Sequence, residues 1–303
     1  METEQLELFP NYGIKEEERL YVIGNGFDVH HHIESKYSDF KNWVCKIKNT
    51  YLVDLMDTFF SNTCDFWNNI EKAFGEYDEK SITDFCKPEN PEEFKYDHPG
   101  QWQAGIEDGI PYIFEDAMNN FRDAFCEWVK SIDITFAEAD LQLPPRSKYL
   151  SFNYTETLER CYHIPKKNVL HIHGNRMIAE DEFVLGHNSN RSENEPYGND
   201  NIDLPYQNAY SEVIKIMNQW KKETKDIIDG HKRFFLSLHD CKAVSVMGMS
   251  YNDIDLPYLK KISTSVASNC RWILYYYSVS DLNNAKEVAN KLGLKNYSTK
   301  KFE

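Results

Sequence analysis

The chain has 303 residues, of which 41% are hydrophobic and 27% charged, so it can bury the core of one large or two smaller globular domains. Its 49 acidic and 34 basic residues give a net charge of −15, which disfavours non-specific nucleic-acid binding because such binding needs basic charge. The seven cysteines show no C-x-x-C spacing, and no apolar run approaches the ~20 residues that cross a bilayer. We therefore expect a cytoplasmic protein with free thiols and without a membrane partner.

The domain organisation follows from where strand-like segments occur. Residues 1–18 are polar and acidic and are predicted to form a leader. Residues 19–303 are predicted to form a single α/β domain, which is interrupted by a helical insertion at 50–140 and by a second helical segment at 190–240.

The first predicted strand, Leu20–Ile23, ends in a glycine turn that leads to Asp28. Glycine permits positive φ and lets backbone N–H groups approach a phosphate, so the turn is a candidate nucleotide site. The pattern is an incomplete dinucleotide fingerprint because Val29 replaces the third glycine, and an ordinary tight turn is the alternative. The turn residues are Gly24, Asn25, Gly26 and Phe27.

Three adjacent histidines, His30–His32, come next. Neighbouring side chains point about 100° apart on a helix and alternate on a strand, so three in a row are not expected to converge on one ion. We interpret them as a solvated turn and predict no metal site. A helix is predicted over Tyr37–Val44, where apolar residues recur at helical spacing.

The 50–140 insertion is rich in aromatic residues and carries three apolar stripes at helical spacing. A loop is predicted at 87–109, where prolines and glycines cluster. Glu71 lies in the second stripe and is interpreted as a surface residue, with a carboxylate in a site as the alternative. The stripes comprise Leu52, Leu55, Met56, Phe59 and Phe60; Phe66, Trp67, Ile70 and Phe74; and Phe114, Ala117, Met118, Phe121, Phe125 and Trp128.

Beyond Pro144 short apolar strands alternate with helices again. Such strands are too apolar to face water on one side, which is typical of a parallel sheet covered by helices. We predict a doubly wound, mostly parallel Rossmann-like sheet with a large helical insertion. The further strands are predicted at 149–152, 169–173, 183–185, 243–247 and 272–277, and the further helices at 156–162, 206–238, from about 254, and 282–292.

Polar residues that can bind a ligand recur at the ends of these strands, which is where parallel sheets bind ligands. A backbone-satisfied buried histidine is the alternative for His173, and this structural interpretation is preferred for His171 because we place it in mid-strand. For Asn153 and His187, the sequence favours neither a structural role in a turn nor a role in a site. The strand-end candidates are Asn153, Thr155, His173, Gly174, His187, Gly248 and Ser250.

Six motifs in order resemble the AbiH-type phage abortive-infection family from about residue 20 to residue 260. Each motif is weak by itself, and their order makes the set specific. They are I-G-N-G-F-D (Ile23–Asp28), W-N-N-I-E (Trp67–Glu71), F-N-Y-T-E-T-L-E (Phe152–Glu159), H-I-H-G (His171–Gly174), L-G-H (Leu185–His187) and G-M-S-Y-N-D-I-D-L-P-Y (Gly248–Tyr258).

That family is similar, more distantly, to sirtuin-like NAD-binding domains. The resemblance implies NAD as substrate or ligand, with Gly24 and Gly26 on its phosphates and Gly248 and Ser250 beside the adenosine half. It also implies that Asn153 holds the nicotinamide ribose or positions a water and that His173 is the catalytic histidine. Asp28 is a candidate for binding a ribose hydroxyl or orienting the histidine. The remaining candidates for cofactor binding are Asn25, Phe27, Thr155, Gly174 and His187.

The departures from the sirtuin pattern shape the functional prediction. Asn25 replaces a small residue, Thr155 or Glu156 stands where an aspartate is usual, and the zinc cysteines have no counterpart. Protein deacetylation is therefore disfavoured. Cleavage of the nicotinamide–ribose bond needs a base with a pKa near neutral and a group that orients the nucleophile, and His173 and Asn153 are residues of these types.

Three hypotheses result. The protein is an NAD glycohydrolase acting in phage defence, a non-catalytic nucleotide-binding sensor or interaction protein, or a toxin that acts on nucleic acid. The −15 charge disfavours the third hypothesis. The expected partner is a small nucleotide, and a second copy of the chain or a phage protein as trigger is left open.

Overall fold

A computed structural model describes residues 13–63, 65–87, 95–177, 183–191 and 203–302. The chain divides into two compact units. The sheet unit comprises Met1–Lys36, Val129–Val184 and Glu223–Glu303, and the helical unit comprises Tyr37–Trp128 and Leu185–Lys222. The single domain predicted over 19–303, with helical segments at 50–140 and 190–240, stays a prediction beside this division.

Parallel strands form one six-stranded sheet in the order β3-β2-β1-β4-β5-β6. The chain adds β2 and β3 on one side of β1 and then crosses to β4 on the other side, so the direction of winding reverses between β1 and β4. This confirms the predicted doubly wound, Rossmann-like sheet, and the strand order is that of dinucleotide-binding folds. The strands are β1 Arg19–Ile23, β2 Lys148–Ser151, β3 Val169–His171, β4 Ala243–Met247, β5 Arg271–Tyr276 and β6 Tyr297–Lys301.

Both faces of the sheet are buried, as the apolar strands predict. Leu20 and Val22 of β1 pack in one hydrophobic cluster with Val246, whereas Tyr21 packs in a second cluster with Tyr149 of β2. Because side chains alternate along a strand, these clusters lie on opposite faces. β1 pairs with β2 and β4, so the turn that follows it lies at the centre of the sheet edge.

One strand predicted from the sequence is not formed, and one strand of the structure was not predicted. Residues 183–185 form no strand, and the Val184 N–H instead makes a single hydrogen bond to the His173 carbonyl. The sixth strand is Tyr297–Lys301, a half-exposed edge strand whose polar sequence hid it from a search for apolar runs. β3 ends at His171 rather than at residue 173.

Several helices also differ from their predicted bounds. The single helix expected over 206–238 is three helices, and the one expected over 156–162 is a single turn. α13 begins three residues before Leu282, because Ser278 and Asp281 form a reciprocal capping box. The helices are α1 Asn25–His30, α2 Tyr37–Lys46, α3 Thr50–Phe59, α4 Ile70–Gly75, α5 Glu79–Cys86, α6 Pro99–Glu107, α7 Gly109–Ser131, α8 Thr157–Arg160, α9 Leu204–Gln219, α10 Thr224–Gly230, α11 Lys232–Leu236, α12 Leu256–Ser265 and α13 Val279–Lys291.

The helical unit is held together by aromatic side chains. Phe121 packs against Phe40, Phe74 and Trp220 at ring-centroid distances of 5.4, 5.5 and 6.1 Å. The first and third predicted stripes are confirmed as α3 and α7, whereas α4 begins only at Ile70 because the Asn69 side chain caps it there.

Parts of three predicted segments lie outside the described residues. They are 1–12 of the leader, 88–94 of the loop expected at 87–109, and 192–202 of the helical segment expected at 190–240. The rest of the 87–109 segment includes α6, which begins with Pro99, a residue favoured at the first position of a helix. Among the helices in the described ranges, none combines the length with the apolar character that a membrane crossing requires.

Candidate functional site

The glycine turn after β1 packs directly against the turn after β4. The N–H of Gly24 donates to the Met247 carbonyl and the N–H of Gly26 donates to the Gly248 carbonyl, both at 2.8 Å. A Cβ on Gly24 would lie 2.6 Å from the Gly248 carbonyl oxygen. The glycines are thus explained by the close approach of two turns, and these two N–H groups are used within the protein. Phosphate binding at this turn stays a prediction.

The other candidates around these turns have different surroundings. The exposed Asn25 side chain exchanges hydrogen bonds with Ser35, whose hydroxyl donates to Asn25 Oδ1 at 2.7 Å. Phe27 is fully buried in the core beneath the turn. Ser250 is exposed, and its carbonyl accepts a hydrogen bond from the Asn284 amide. Their predicted roles in cofactor binding stay predictions.

Asp28 is the most buried carboxylate of the sheet unit's strand ends, with 1% of its surface exposed. The Thr155 hydroxyl donates to its Oδ2 at 2.5 Å. Burial raises the pKa of Asp28 above its ordinary value, although the hydrogen bond from Thr155 opposes the rise. The two residues that sequence analysis placed at neighbouring strand ends, Asp28 and Thr155, are therefore in direct contact.

Two buried oxygens in this region have no hydrogen-bond partner among the described residues. They are Oδ1 of Asp28 and Oδ1 of Asn153. A buried acceptor without a donor costs about 1–3 kcal/mol, so such atoms point to a ligand or water that supplies the donor. Both residues follow central strands, β1 and β2, at the edge where parallel sheets bind ligands.

His171 connects Asn153 to a second carboxylate. Its Nδ1 lies 3.0 Å from the Asn153 carbonyl oxygen and its Nε2 lies 2.9 Å from Glu159 Oε1. A carbonyl accepts only, and an ionised carboxylate accepts only, so both ring nitrogens donate and His171 is an imidazolium. Burial lowers the pKa of His171, but the hydrogen bond and charge of Glu159 outweigh it and the net shift is upward. The mid-strand placement of His171 is wrong, since it is the last residue of β3.

Arg176 binds a further carboxylate close to these residues. Its side-chain Nε donates to the buried Glu156 at 2.8 Å, and its Nη1 donates to the Ile132 carbonyl. Its backbone N–H donates to the Tyr154 carbonyl. Glu156 Oε1 and Glu159 Oε2 join the two oxygens described above as buried acceptors without a partner in the described ranges. We call Asp28, Asn153, Glu156 and Glu159 the acceptor cluster. Its carboxylates face the side chains of His171, Arg176 and the exposed Arg160, whose Nε lies 4.0 Å from Glu156 Oε2. The cluster still holds four buried oxygens that no donor reaches within the described residues.

His173 has a different, aromatic environment. It is buried, its Nε2 lies 3.3 Å from the Tyr258 hydroxyl, and its ring meets Phe152 and Tyr258 edge-on. The positive φ of Gly174, 81°, turns the chain directly after it. Tyr258 was missed by sequence reasoning, although it lies within a motif that was singled out.

His187 belongs to the helical unit. Its Nε2 donates to the Met217 carbonyl at 2.9 Å and its Nδ1 accepts from the Ser189 N–H, so both ring nitrogens are used. Burial lowers its pKa, which agrees with a neutral ring. In the same unit Glu71 forms an ion pair with Lys222, whose side chain is 1% exposed. The interpretation of Glu71 as a surface residue is therefore wrong.

The three adjacent histidines do not form a solvated turn. His31 is buried, and His30 and His31 both approach Asp140. His30 and His31 come together because α1 ends at His30 and the chain changes direction there, whereas His32 is not part of this group. Only His32 of the three is exposed, with a positive φ of 59°.

The fold and the acceptor cluster define an α/β protein of the doubly wound class, with polar residues at the edge of the sheet where proteins of this class bind ligands. The sequence matches the family described as bacteriophage abortive infection AbiH over residues 20–276, so the chain belongs to this family. Membership in this family indicates a role in abortive infection, a defence against bacteriophage. Searches of curated proteins and of solved structures gave no match.

Proposed function

We propose that this protein binds NAD at the acceptor cluster and hydrolyses it to nicotinamide and ADP-ribose, and that loss of NAD is its contribution to abortive infection. The observation that carries the proposal is the pair of unpartnered buried oxygens, Asp28 Oδ1 and Asn153 Oδ1, beyond the central strands β1 and β2. The strand order of dinucleotide-binding folds supports it further. The similarity to sirtuin-like domains is part of the proposal.

The nicotinamide half of NAD suits such a site chemically. Its ribose offers two hydroxyl donors, which match acceptors on Asp28 and Asn153. Its nicotinamide ring is cationic, which suits a site that contains the Asp28, Glu156 and Glu159 carboxylates, each with one buried oxygen that lacks a donor among the described residues. Positive charge also develops on the ribose as the bond breaks, and fixed negative charge near it stabilises that state.

The reaction balances without an oxidant or a reductant. The bond between ribose C1′ and the nicotinamide nitrogen breaks, and its electron pair neutralises the pyridinium ring. A water oxygen forms the new bond to C1′, and one water proton leaves to a base. In this proposal His173 is that base, and the Tyr258 hydroxyl orients its ring. The imidazolium of His171 is already protonated and is left with a positioning role, holding the Asn153 backbone.

The test is release of nicotinamide from NAD by the purified full chain, measured by chromatography together with ADP-ribose in equal amounts. Asp28→Asn, Asn153→Ala and His173→Ala are each expected to lower the rate by about 100-fold or more. Asn283→Ala and His239→Ala are matched controls at exposed positions of the sheet unit and are expected to retain the parent rate. Thermal melts identify any variant that loses its fold.

The outcomes separate the hypotheses. Full activity in both Asp28→Asn and Asn153→Ala contradicts the proposed site. If the parent releases no nicotinamide but NAD raises its Tm, and Asp28→Asn abolishes that rise, the site is a nucleotide sensor without turnover. If the parent shows no turnover of NAD and NAD does not shift its Tm, NAD is rejected as the ligand.

A further inference from the structure

His30, His31 and Asp140 form a compact group, which we call the His–Asp cluster. His30 Nε2 lies 2.8 Å from Asp140 Oδ2, and His31 Nε2 lies 3.3 Å from Asp140 Oδ1. One ligand atom from each of the three residues lies within 4.8 Å of the other two. Tetrahedral coordination at the usual zinc–ligand bond lengths separates neighbouring ligand atoms by about 3.3 Å, so only small adjustments are needed to place an ion between them.

The end of α1 brings the two histidines together. His30 is the last residue of the helix, and His31 is its C-cap with φ −84° and ψ 16°. The two rings are edge-on at 5.1 Å. Asp140 approaches from the segment between α7 and β2. The ligands therefore come from two separate parts of the sheet unit, which an ion would join.

His31 is held in the orientation and tautomer that a metal ligand needs. Its Nδ1 lies 2.7 Å from the Phe27 carbonyl oxygen, and because a carbonyl only accepts, Nδ1 carries the proton. Nε2 then presents its lone pair towards Asp140. This backbone hydrogen bond to the distal nitrogen is the usual support of metal-binding histidines.

The cluster holds more lone pairs than protons. The single proton of the Tyr162 hydroxyl faces two acceptors, His31 Nε2 at 2.5 Å and Asp140 Oδ1 at 3.0 Å, and it can satisfy only one of them. Within the described residues both ion-pair partners of Asp140 are histidines. A cation at this point satisfies the lone pairs that the phenol proton leaves over.

We propose that His30, His31 and Asp140 bind a divalent transition-metal ion of the Zn²⁺ class. Two imidazole nitrogens and one carboxylate oxygen are ligands that Zn²⁺ accepts, and three protein ligands leave a fourth position beside Tyr162 for water or for the phenol itself. The ion would tie α1, the helix that carries Asp28, to the segment around Asp140. The proposal does not depend on NAD turnover.

The test is titration of the chelator-treated full chain with Zn²⁺ by calorimetry, combined with thermal melts. The parent is expected to bind one Zn²⁺ per chain at this site and to melt at a higher temperature with the ion. Asp140→Asn keeps the shape of the side chain but removes the anionic ligand, and His30→Gln removes an imidazole. Each is expected to weaken Zn²⁺ binding by more than about 100-fold while the metal-free melt stays unchanged.

His239 and Asp240 provide a matched control. Their side chains form a pair at the same 2.8 Å, but they are 72% and 77% exposed, and no third ligand is described beside them. His239→Gln and Asp240→Asn are expected to leave Zn²⁺ binding unchanged. Absence of saturable binding in the parent, or the same affinity in Asp140→Asn and His30→Gln, overturns the proposal; the second result places any bound Zn²⁺ on other residues, such as the cysteines.

Discussion

At the residue scale, the charge of His171 determines whether its hydrogen bonds to Asn153 and Glu159 can both form. Both ring nitrogens face acceptors, so the protonated ring is the form that satisfies the Asn153 carbonyl and Glu159 together. Burial alone would favour the neutral ring. The pKa of His171 is raised because the hydrogen bond and charge of Glu159, with smaller contributions from the Asn153 carbonyl and the Glu156 charge, outweigh burial. The network is therefore stable as an ion pair within the protein interior.

Stability is expected to depend on pH through this pair. The folded-state pKa of His171 is raised above the ordinary value of 6.5, so its contribution is fully present below that pH and is lost as pH rises through the folded-state pKa. Glu159→Gln leaves the imidazolium without its carboxylate and is expected to cost about 3 kcal/mol near pH 6 and clearly less near pH 9. Urea unfolding of parent and variant at several pH values measures this difference.

Glu287→Gln is the control for that experiment. Glu287 pairs with Lys291 on the exposed side of α13, where water and salt screen the attraction and an ion pair contributes little to stability. Its replacement is expected to have a small effect that does not follow the titration of His171. A Glu159→Gln cost that stays constant across the pH range would contradict the assigned charge of His171.

Sequence reasoning found part of the site and missed part of it, for a physical reason. Asn153 and Thr155 lie just beyond β2, and Asp28 lies in α1, directly after the glycine turn that ends β1. The rule that ligands gather at strand ends therefore locates them. The same rule does not locate Glu159 and Arg176, because each acts by pairing with a side chain elsewhere in the sequence. Glu159 pairs with His171, and Arg176 pairs with Glu156. His171 was assigned to mid-strand because an apolar run cannot show where the ladder stops.

At the element scale, the contact between the turns after β1 and β4 is the feature on which the sheet edge depends. Gly248 has a φ of +69°, and a Cβ there would lie 2.3 Å from the Phe27 nitrogen and 2.8 Å from the Gly24 carbonyl oxygen. These neighbours are backbone atoms of the adjacent turn and cannot move aside as a flexible side chain can. Two penalties therefore act at Gly248, one from its φ and one from the clash.

Gly293 separates these two penalties. Its φ is +65°, nearly that of Gly248, but an added Cβ would have no atom within 4 Å. Gly293→Ala is expected to cost about 1 kcal/mol, the usual price of a left-handed alanine. Gly248→Ala is expected to cost about 3 kcal/mol or more because the clash is added. Denaturant unfolding measures both, and equal costs would contradict the close packing of the turns.

The order of elements was more predictable than their ends. Buried strands such as Ala243–Met247 have a continuous apolar pattern, and β4 has the predicted bounds. β6 was not predicted, because an edge strand buries little and its sequence, Y-S-T-K-K, resembles a loop. The helices after Tyr206 were merged into one, because an apolar stripe does not show where a cap residue or a turn interrupts it.

At the scale of the whole molecule, the net charge of −15 acts against the compact state as well as against nucleic-acid binding. Repulsion among surplus carboxylates extends over many ångströms, whereas the surface ion pairs are in contact. The Debye length falls from about 30 Å at 0.01 M salt to about 8 Å at 0.15 M. Added salt therefore screens the distant repulsion more than it screens the paired charges.

The melting temperature of the full chain is expected to rise by about 2 °C or more between those two salt concentrations. The melts are measured in sodium chloride and again in potassium chloride, so that an effect of one particular cation is excluded. The protein is first treated with chelator so that divalent ions do not contribute. A melting temperature that falls with salt would mean that ion pairs, such as that between Lys242 and Glu18, contribute more than the net repulsion costs. Because the two contributions change the melting temperature in opposite directions, the sign of the shift alone shows which is larger.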